Sequence, residues 1–215
     1  ERLTPKEEPM QNHPIDEHSI EEETSETAIL NSWRINAKPW RQLIQGEGIA
    51  SRKAVTNAAI LAAIEAVASQ DTRALDVGCG EGWLVREMAK RGIHALGIDA
   101  IPDLIHSAQQ MSAAQNLAAS HFEVMRYADM QRLKGHFDVV VCNFSLFGDA
   151  SVEEALKNIA RHLAPGGVCL IQTLHPHSHQ PGEAYRSGWY PGSWKGFGAA
   201  FSSPAPWYFR TLSDW

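Results

Sequence analysis

The chain has 215 residues with 44% hydrophobic content, enough for one substantial core and too little for a second full domain beside it. Its net charge of -6 comes from residues 1–26, which hold nine acids against two bases and leave a body with 16 acids and 17 bases. A body so balanced, without a Lys/Arg run, argues against nucleic acid as a partner, and no apolar stretch approaches the roughly 20 residues that cross a bilayer.

Residues 1–26 add three prolines and almost no large apolar groups to those acids, so an acidic, flexible tail is expected there. Residues 27–72 are expected to form a helical lid. Trp33, Ala37, Trp40 and Ile44 recur at helical spacing, but Pro39 lacks a donor and restricts Lys38, which predicts two short helical pieces. Ser51 is placed to cap the next helix, whose broad apolar face runs through Val55, Ala59, Ile60, Ala62, Ile64, Ala66 and Val67.

From residue 73 strands and helices alternate: strand 74–77, helix 82–91, strand 94–98, helix 102–112, strands 122–127 and 137–142, helix 151–163 and strand 168–174. This predicts an α/β fold of three layers, a doubly wound Rossmann-like parallel sheet with helices on both faces and its ligand site at the carboxyl edge. The core spans 73–174, and 175–215 are expected to cap it within the same domain, since 185–215 hold ten of the 18 aromatic residues, interleaved with glycine and proline. Cysteines 79, 142 and 169 show no Cys-x-x-Cys spacing and read as reduced thiols of a cytoplasmic protein.

Leu75-Asp76-Val77-Gly78-Cys79-Gly80-Glu81-Gly82-Trp83 is the most informative run, a strand ending in Asp-x-Gly-x-Gly-x-Gly that opens into a helix. Twenty-one positions after Gly78, Asp99 ends the strand Ala95-Leu96-Gly97-Ile98-Asp99. A tight turn beside one carboxylate is the arrangement that grips a ribose through both hydroxyls. The dinucleotide pattern Gly-x-Gly-x-x-Gly fails, because Trp83 stands at its last position and the third glycine is Gly82, so the loop suits a smaller, diphosphate-free ligand.

These residues resemble motif I of the class I S-adenosylmethionine-dependent methyltransferases. Phe137-Asp138-Val139-Val140-Val141-Cys142-Asn143 is similar to that family's fourth strand, and Leu163-Ala164-Pro165-Gly166-Gly167-Val168 to its turn into the fifth. The resemblance implies S-adenosyl-L-methionine as cofactor and S-adenosyl-L-homocysteine as product. It implies that Asp99 chelates the ribose with Ala100 beside it, that Gly78, Cys79 and Gly80 form the cofactor loop, and that Asp76 either faces the cofactor ammonium or supports the loop. Tyr127-Ala128 stands where many relatives have the Asp-Ala that contacts adenine, so Asp129, stacking by Tyr127 and the Ala128 backbone all stay open. Asn143 and Phe144 follow the strand whose backbone receives the ammonium. No Asn-Pro-Pro-Tyr begins at Asn143 and no proline precedes Cys142, which removes support for nucleobase methylation. The family completes its sheet with two further strands; the chain reaches Trp215 without room for both, so the C-terminal strands are expected to be incomplete.

Other residues keep two readings. Arg52 pairs with the cofactor carboxylate or is a solvated surface arginine. Trp33 and Trp40 lid the cofactor or pack in the core. His175, first after the fifth strand, is a general base or a plain strand-end histidine, and His175, His177 and His179 lack a fourth zinc ligand, so no metal is expected. Tyr185, Trp189 and Tyr190 are candidate contacts for a small-molecule acceptor. The expected activity is in-line methyl transfer to that acceptor; a nicotinamide-dependent oxidoreductase, opposed by Trp83, and a non-catalytic nucleoside binder are the alternatives.

Overall fold

Strands rich in Val, Leu, Ile and Ala that alternate with amphipathic helices bury both faces only if they lie parallel between two helical layers. In a computed structural model, described over residues 17–176 and 185–215 with side chains from residue 25, they do so. β1 (Arg73–Val77), β2 (His94–Asp99), β3 (Ser120–Val124), β4 (Phe137–Asn143) and β5 (Leu163–Gln172) form one sheet in the order β3-β2-β1-β4-β5. All four pairings are parallel. The order reverses beside β1, which puts the switch point between the carboxyl ends of β1 and β4, where open α/β sheets bind ligands.

The side chains of each strand split between two cores. Ala74, Ala95, Val139 and Val141 meet α2 (Asn57–Glu65), α3 (Trp83–Lys90) and α4 (Pro102–Ala114) through Ile60, Ile64, Leu84, Val85, Met88, Ile105 and Ala108. Leu75, Val77, Ile98, Val140 and Cys142 face the other way, onto Val152, Ala155 and Ile159 of α5 (Ala150–His162).

The helix at the front differs from expectation. α1 runs unbroken from Glu17 to Gln45 with Pro39 inside it, and so also begins within the segment read as tail. Proline inside a helix costs about 3 kcal/mol. Here Ile35, whose carbonyl loses its helical donor to Pro39, is 53% exposed, while Trp33, Ala37 and Trp40 on the opposite side pack on Ile101 and Leu104. Burial of that stripe offsets the lost bond. Ser51 makes no side-chain cap; it is already helical and leads into a π-helical turn, Arg52–Thr56.

Strand three is shorter than expected, and Tyr127–Arg132 form a 3-10 turn. β5 is longer, because Leu163 already pairs with Phe137; residues 164–167, with Gly166 at φ 79°, then bulge opposite Asp138 before Val168 pairs with Val139. β6 (Gly188–Tyr190) and β7 (Trp207–Phe209) pair antiparallel with each other in a separate two-stranded sheet. No helix among the described residues is long and apolar enough to cross a membrane.

Candidate functional site

The loop after β1 is built by left-handed glycines. Gly78 has φ 76° and Gly80 has φ 57°. The Gly78 and Cys79 amides both donate to the Ile98 carbonyl, at 2.8 and 2.9 Å, which lays the loop against the end of β2. A Cβ on Gly78 would stand 2.4 Å from Ser145 Cβ. Gly78→Ala therefore combines left-handed strain with a clash, and we expect a loss of about 2–5 kcal/mol, read as a lowered melting temperature.

Asp99, at the tip of β2, bridges the two sides of this edge. Its Oδ2 accepts from the Gly80 amide and its Oδ1 from the Ile101 amide, each at 2.9 Å. The same carboxylate thus orders the glycine loop and receives the first amide before α4. Burial raises its pKa, and the Ile101 and Gly80 amides pull it back. Ala100, next in sequence, is partly buried.

Among the described residues, four further acceptor oxygens along this edge are buried without a partner: Asp76 Oδ1, Glu81 Oε1, Asn143 Oδ1 and, at the end of β5, Gln172 Oε1. Asp76 is 2% exposed. Burial first, then the charges of Asp99 and Glu81, push its pKa up to about 8. Unsatisfied buried acceptors are costly, and a cluster of them that contains carboxylates demands a donor, best a cation. Glu81 was missed by the sequence reading, which attended to the glycines on either side of it. Its Oε2 meets Arg86 Nη2 at 2.7 Å and its carbonyl accepts from Arg86 Nη1 at 2.6 Å, so the buried guanidinium holds the loop from below.

The other sequence candidates are distributed as follows. Cys79 sends its side chain into the core, where burial raises its thiol, and only its backbone belongs to the loop. Tyr127 is tied at its hydroxyl, which donates to the Ser145 carbonyl at 2.8 Å, while Ser145 Oγ donates to the Val77 carbonyl at 2.6 Å. This chain staples the loop after β4 to the end of β1. Asp129 pairs with Arg132 at 3.5 Å, and Ala128 is exposed. Phe144 has φ 51° and its amide donates to the Gln172 carbonyl, turning the chain away from β4.

Arg52 lies 5.0 Å over the Trp83 ring, and its Nε donates to Asn57 Oδ1 at 3.3 Å. Burial lowers its pKa, with the Glu81 charge opposing. The arginine is therefore beside the glycine loop rather than solvated. Trp40 reaches the loop too: its Nε1 is 3.8 Å from where a Gly80 Cβ would be. Trp33 packs edge-on against Trp40 and Trp194, at 5.1 and 5.4 Å between centroids.

The late segment is arranged differently from the reading of its composition. Tyr185 packs edge-on against Phe209 and accepts from the Leu212 amide, Trp189 packs on Tyr208, and Tyr190 packs on Trp207 and Phe209. All three are held within the β6–β7 unit and its flank. The rings that meet the tryptophans of α1 are Trp194, on Trp33, and Phe197, on Trp40. His175 lies in an open groove of about 360 Å³ lined by Ala59, Ile60 and Ala63 of α2 and by Leu170 to Pro176; neither the glycine loop nor Asp99 lines it. His177 and His179 lie outside the described residues.

With this geometry in view, the match to known proteins is specific. A family profile described as a methyltransferase domain matches residues 74–167, from β1 to the start of β5. Over those residues the chain is similar to methyltransferase domains. Two relatives are ubiquinone biosynthesis O-methyltransferases. The one from Methylococcus capsulatus is 36% identical over 106 residues, 48% of this chain and 44% of that protein. The one from Neisseria meningitidis serogroup A is 31% identical over 105 residues, with the same coverage of 48% and 44%. The chain thus spans less than half the length of the curated relatives it matches. Among solved structures, a methyltransferase from Thiobacillus denitrificans in complex with S-adenosyl-L-homocysteine is 26% identical, with 52% of this chain and 46% of that one covered at a TM-score of 0.43. The named relatives are methyltransferases and lend nothing to the nicotinamide alternative.

Proposed function

We propose that this methyltransferase domain binds S-adenosyl-L-methionine at the carboxyl edge of β1, β2 and β4 and transfers its methyl group to a small-molecule acceptor, releasing S-adenosyl-L-homocysteine. The observation that carries the reading is the Asp99 carboxylate, tied to Gly80 across the glycine loop in a segment that matches the family. The residues present suit the cofactor. Asp99 has lone pairs left for a ribose diol, and the unpartnered oxygens of Asp76, Glu81 and Asn143 answer an ammonium. Arg52 is the cation for the carboxylate of the amino-acid end, and the Ala128 backbone is left for the adenine edge.

When bound, the cofactor supplies an activated methyl on a sulfonium that is its own leaving group. The protein's share is orientation and exclusion of water. Asp99 and the glycine loop fix the nucleoside end, Asp76 and Arg52 the amino-acid end, and the rings of Trp33, Trp40 and Trp194 cover the space between them and the incoming acceptor. Tyr127 acts at one remove, through Ser145. Tyr185, Trp189 and Tyr190 support the cover from the β6–β7 unit, and His175 in its groove stays outside this arrangement.

Both named relatives are O-methyltransferases, so an oxygen nucleophile is the acceptor class to assay first. The test has two arms. Calorimetric titration with S-adenosyl-L-homocysteine is expected to give one-to-one binding, and labelled methyl from the donor is expected to enter a hydroxylated small molecule from a panel. No heat and no thermal stabilisation at high ligand concentration would end the cofactor reading. Binding without transfer to any hydroxyl, amine or thiol would leave a nucleoside-binding protein.

A further inference from the structure

One face of α1 carries Trp33, Asn36, Ala37 and Trp40, and the middle of it is polar where the rest is not. Asn36 is fully buried. A buried amide offers two donors and two acceptor sites that need partners. Its Nδ2 donates to the Ser32 carbonyl at 2.8 Å and to the Ser202 carbonyl at 2.7 Å, and its Oδ1 accepts from the Ser202 amide at 3.0 Å. The two bonds to Ser202 reproduce what a neighbouring strand would offer that residue, although a helix side chain supplies them. They join positions 166 residues apart.

Around this polar tie the aromatic rings close. Trp194 sits between Trp33 at 5.4 Å and Phe201 at 5.1 Å, and Phe197 packs on Trp194 at 5.5 Å and on Trp40 at 6.3 Å. Trp40 in turn lies over Gly80. Ring contacts are non-directional enough to slide; the bidentate amide is not. The segment from 194 to 202 is thereby fixed against α1 at one register, with Phe197 on Trp40, the ring that reaches the glycine loop.

We propose that Asn36 is the latch of an aromatic roof over the cofactor loop: through the Ser202 backbone it holds Trp194, Phe197 and Phe201 against Trp33 and Trp40 and so sets the rate of cofactor exchange. The proposal rests on the S-adenosylmethionine reading. Asn36 is a positioning residue and touches no reacting atom. α1 has a second tie, Glu26, whose Oε1 accepts from the Asp149 amide at 2.8 Å and whose Oε2 accepts from Ser151 Oγ at 2.7 Å. That tie grips the start of α5 and serves as the internal comparison.

The experiment compares Asn36→Ala, Ser202→Pro and Glu26→Gln with the wild-type chain. Ser202→Pro deletes the amide donor of the latch from its exposed side and leaves α1 intact, should Asn36→Ala fold poorly. Deuterium uptake in the ligand-free protein is expected to rise across 194–202 in both latch variants, and stopped-flow release of S-adenosyl-L-homocysteine, followed by tryptophan fluorescence, is expected to quicken about tenfold or more. Glu26→Gln is expected to lower the melting temperature while both readouts stay at the wild-type value. Unchanged uptake across 194–202 overturns the latch. Raised uptake with unchanged release overturns its control of exchange, as does equal quickening by Glu26→Gln. A wild-type chain that shows protected 194–202 amides yet binds no S-adenosyl-L-homocysteine refutes the cofactor reading, and the exchange proposal falls with it.

Discussion

Asp99→Ala is expected to weaken S-adenosyl-L-homocysteine binding at least ~100-fold, which in calorimetry reads as loss of measurable heat at concentrations that saturate the wild type. Two bonds from a carboxylate to a ribose diol are each worth roughly 1.5–3 kcal/mol when shielded, and together exceed the factor named. Part of the loss is indirect, because the same oxygens hold the Gly80 and Ile101 amides. Asp99→Asn separates the two contributions: its remaining oxygen still accepts from one amide, so the loop is less disturbed while the charge is gone. The unliganded melting temperature of Asp99→Asn should lie nearer the wild type than that of Asp99→Ala, with binding still weakened at least ~10-fold. Retained affinity within about threefold in Asp99→Ala would remove this carboxylate from the site.

The second large effect is a pH dependence centred on Asp76. Its pKa is pushed up to about 8 from an ordinary value of 3.8, by burial first and then by Asp99 and Glu81. Between those two values the folded protein holds a proton that the unfolded chain has released, so the unfolded state binds fewer protons and stability falls as pH rises. The contribution is fully present near pH 4 and is lost as pH climbs through about 8. One pKa unit is about 1.4 kcal/mol and the slope flattens as pH nears the folded pKa, so from about pH 6 to about pH 8 the unliganded protein should lose roughly 2 kcal/mol. Asp76→Asn, which cannot ionise, should flatten that slope in chemical unfolding series.

Ligand binding should move the opposite way. A cation placed on Asp76 Oδ1 favours the ionised carboxylate, so affinity for S-adenosyl-L-homocysteine should rise toward pH 8, by up to about tenfold per unit, with proton release detectable as a buffer-dependent heat. A wild-type affinity that is flat with pH would place the ammonium elsewhere, and a slope that persists in Asp76→Asn would assign the titration to another group.

These predictions rest on residues of unequal visibility in the sequence. Gly78, Gly80 and Asp99 were legible because each does its work through local geometry: a positive φ at the end of a strand, and a carboxylate at the tip of the next strand in register with it. Tyr127 was visible as a departure from the family's acid, but not its role, since the direction of its hydroxyl depends on where Ser145 lands after β4. The continuous α1 was misread because the cost of Pro39 is local, whereas its compensation, Trp33 and Trp40 against Ile101 and Leu104, comes from across the fold. Arg52 kept two readings until Trp83 and Glu81 were seen beside it.

By itself the sequence determined the sheet, its parallel sense, and the loop and acid at its carboxyl edge, because hydrophobic period, glycine placement and strand-end carboxylates act over a few residues. Only the tertiary structure decided what covers that edge. Asn36 meets Ser202 across 166 positions and Glu26 meets Asp149 across 123, and such pairings follow from the rotation of one long helix over the finished core, which no local pattern of residues encodes.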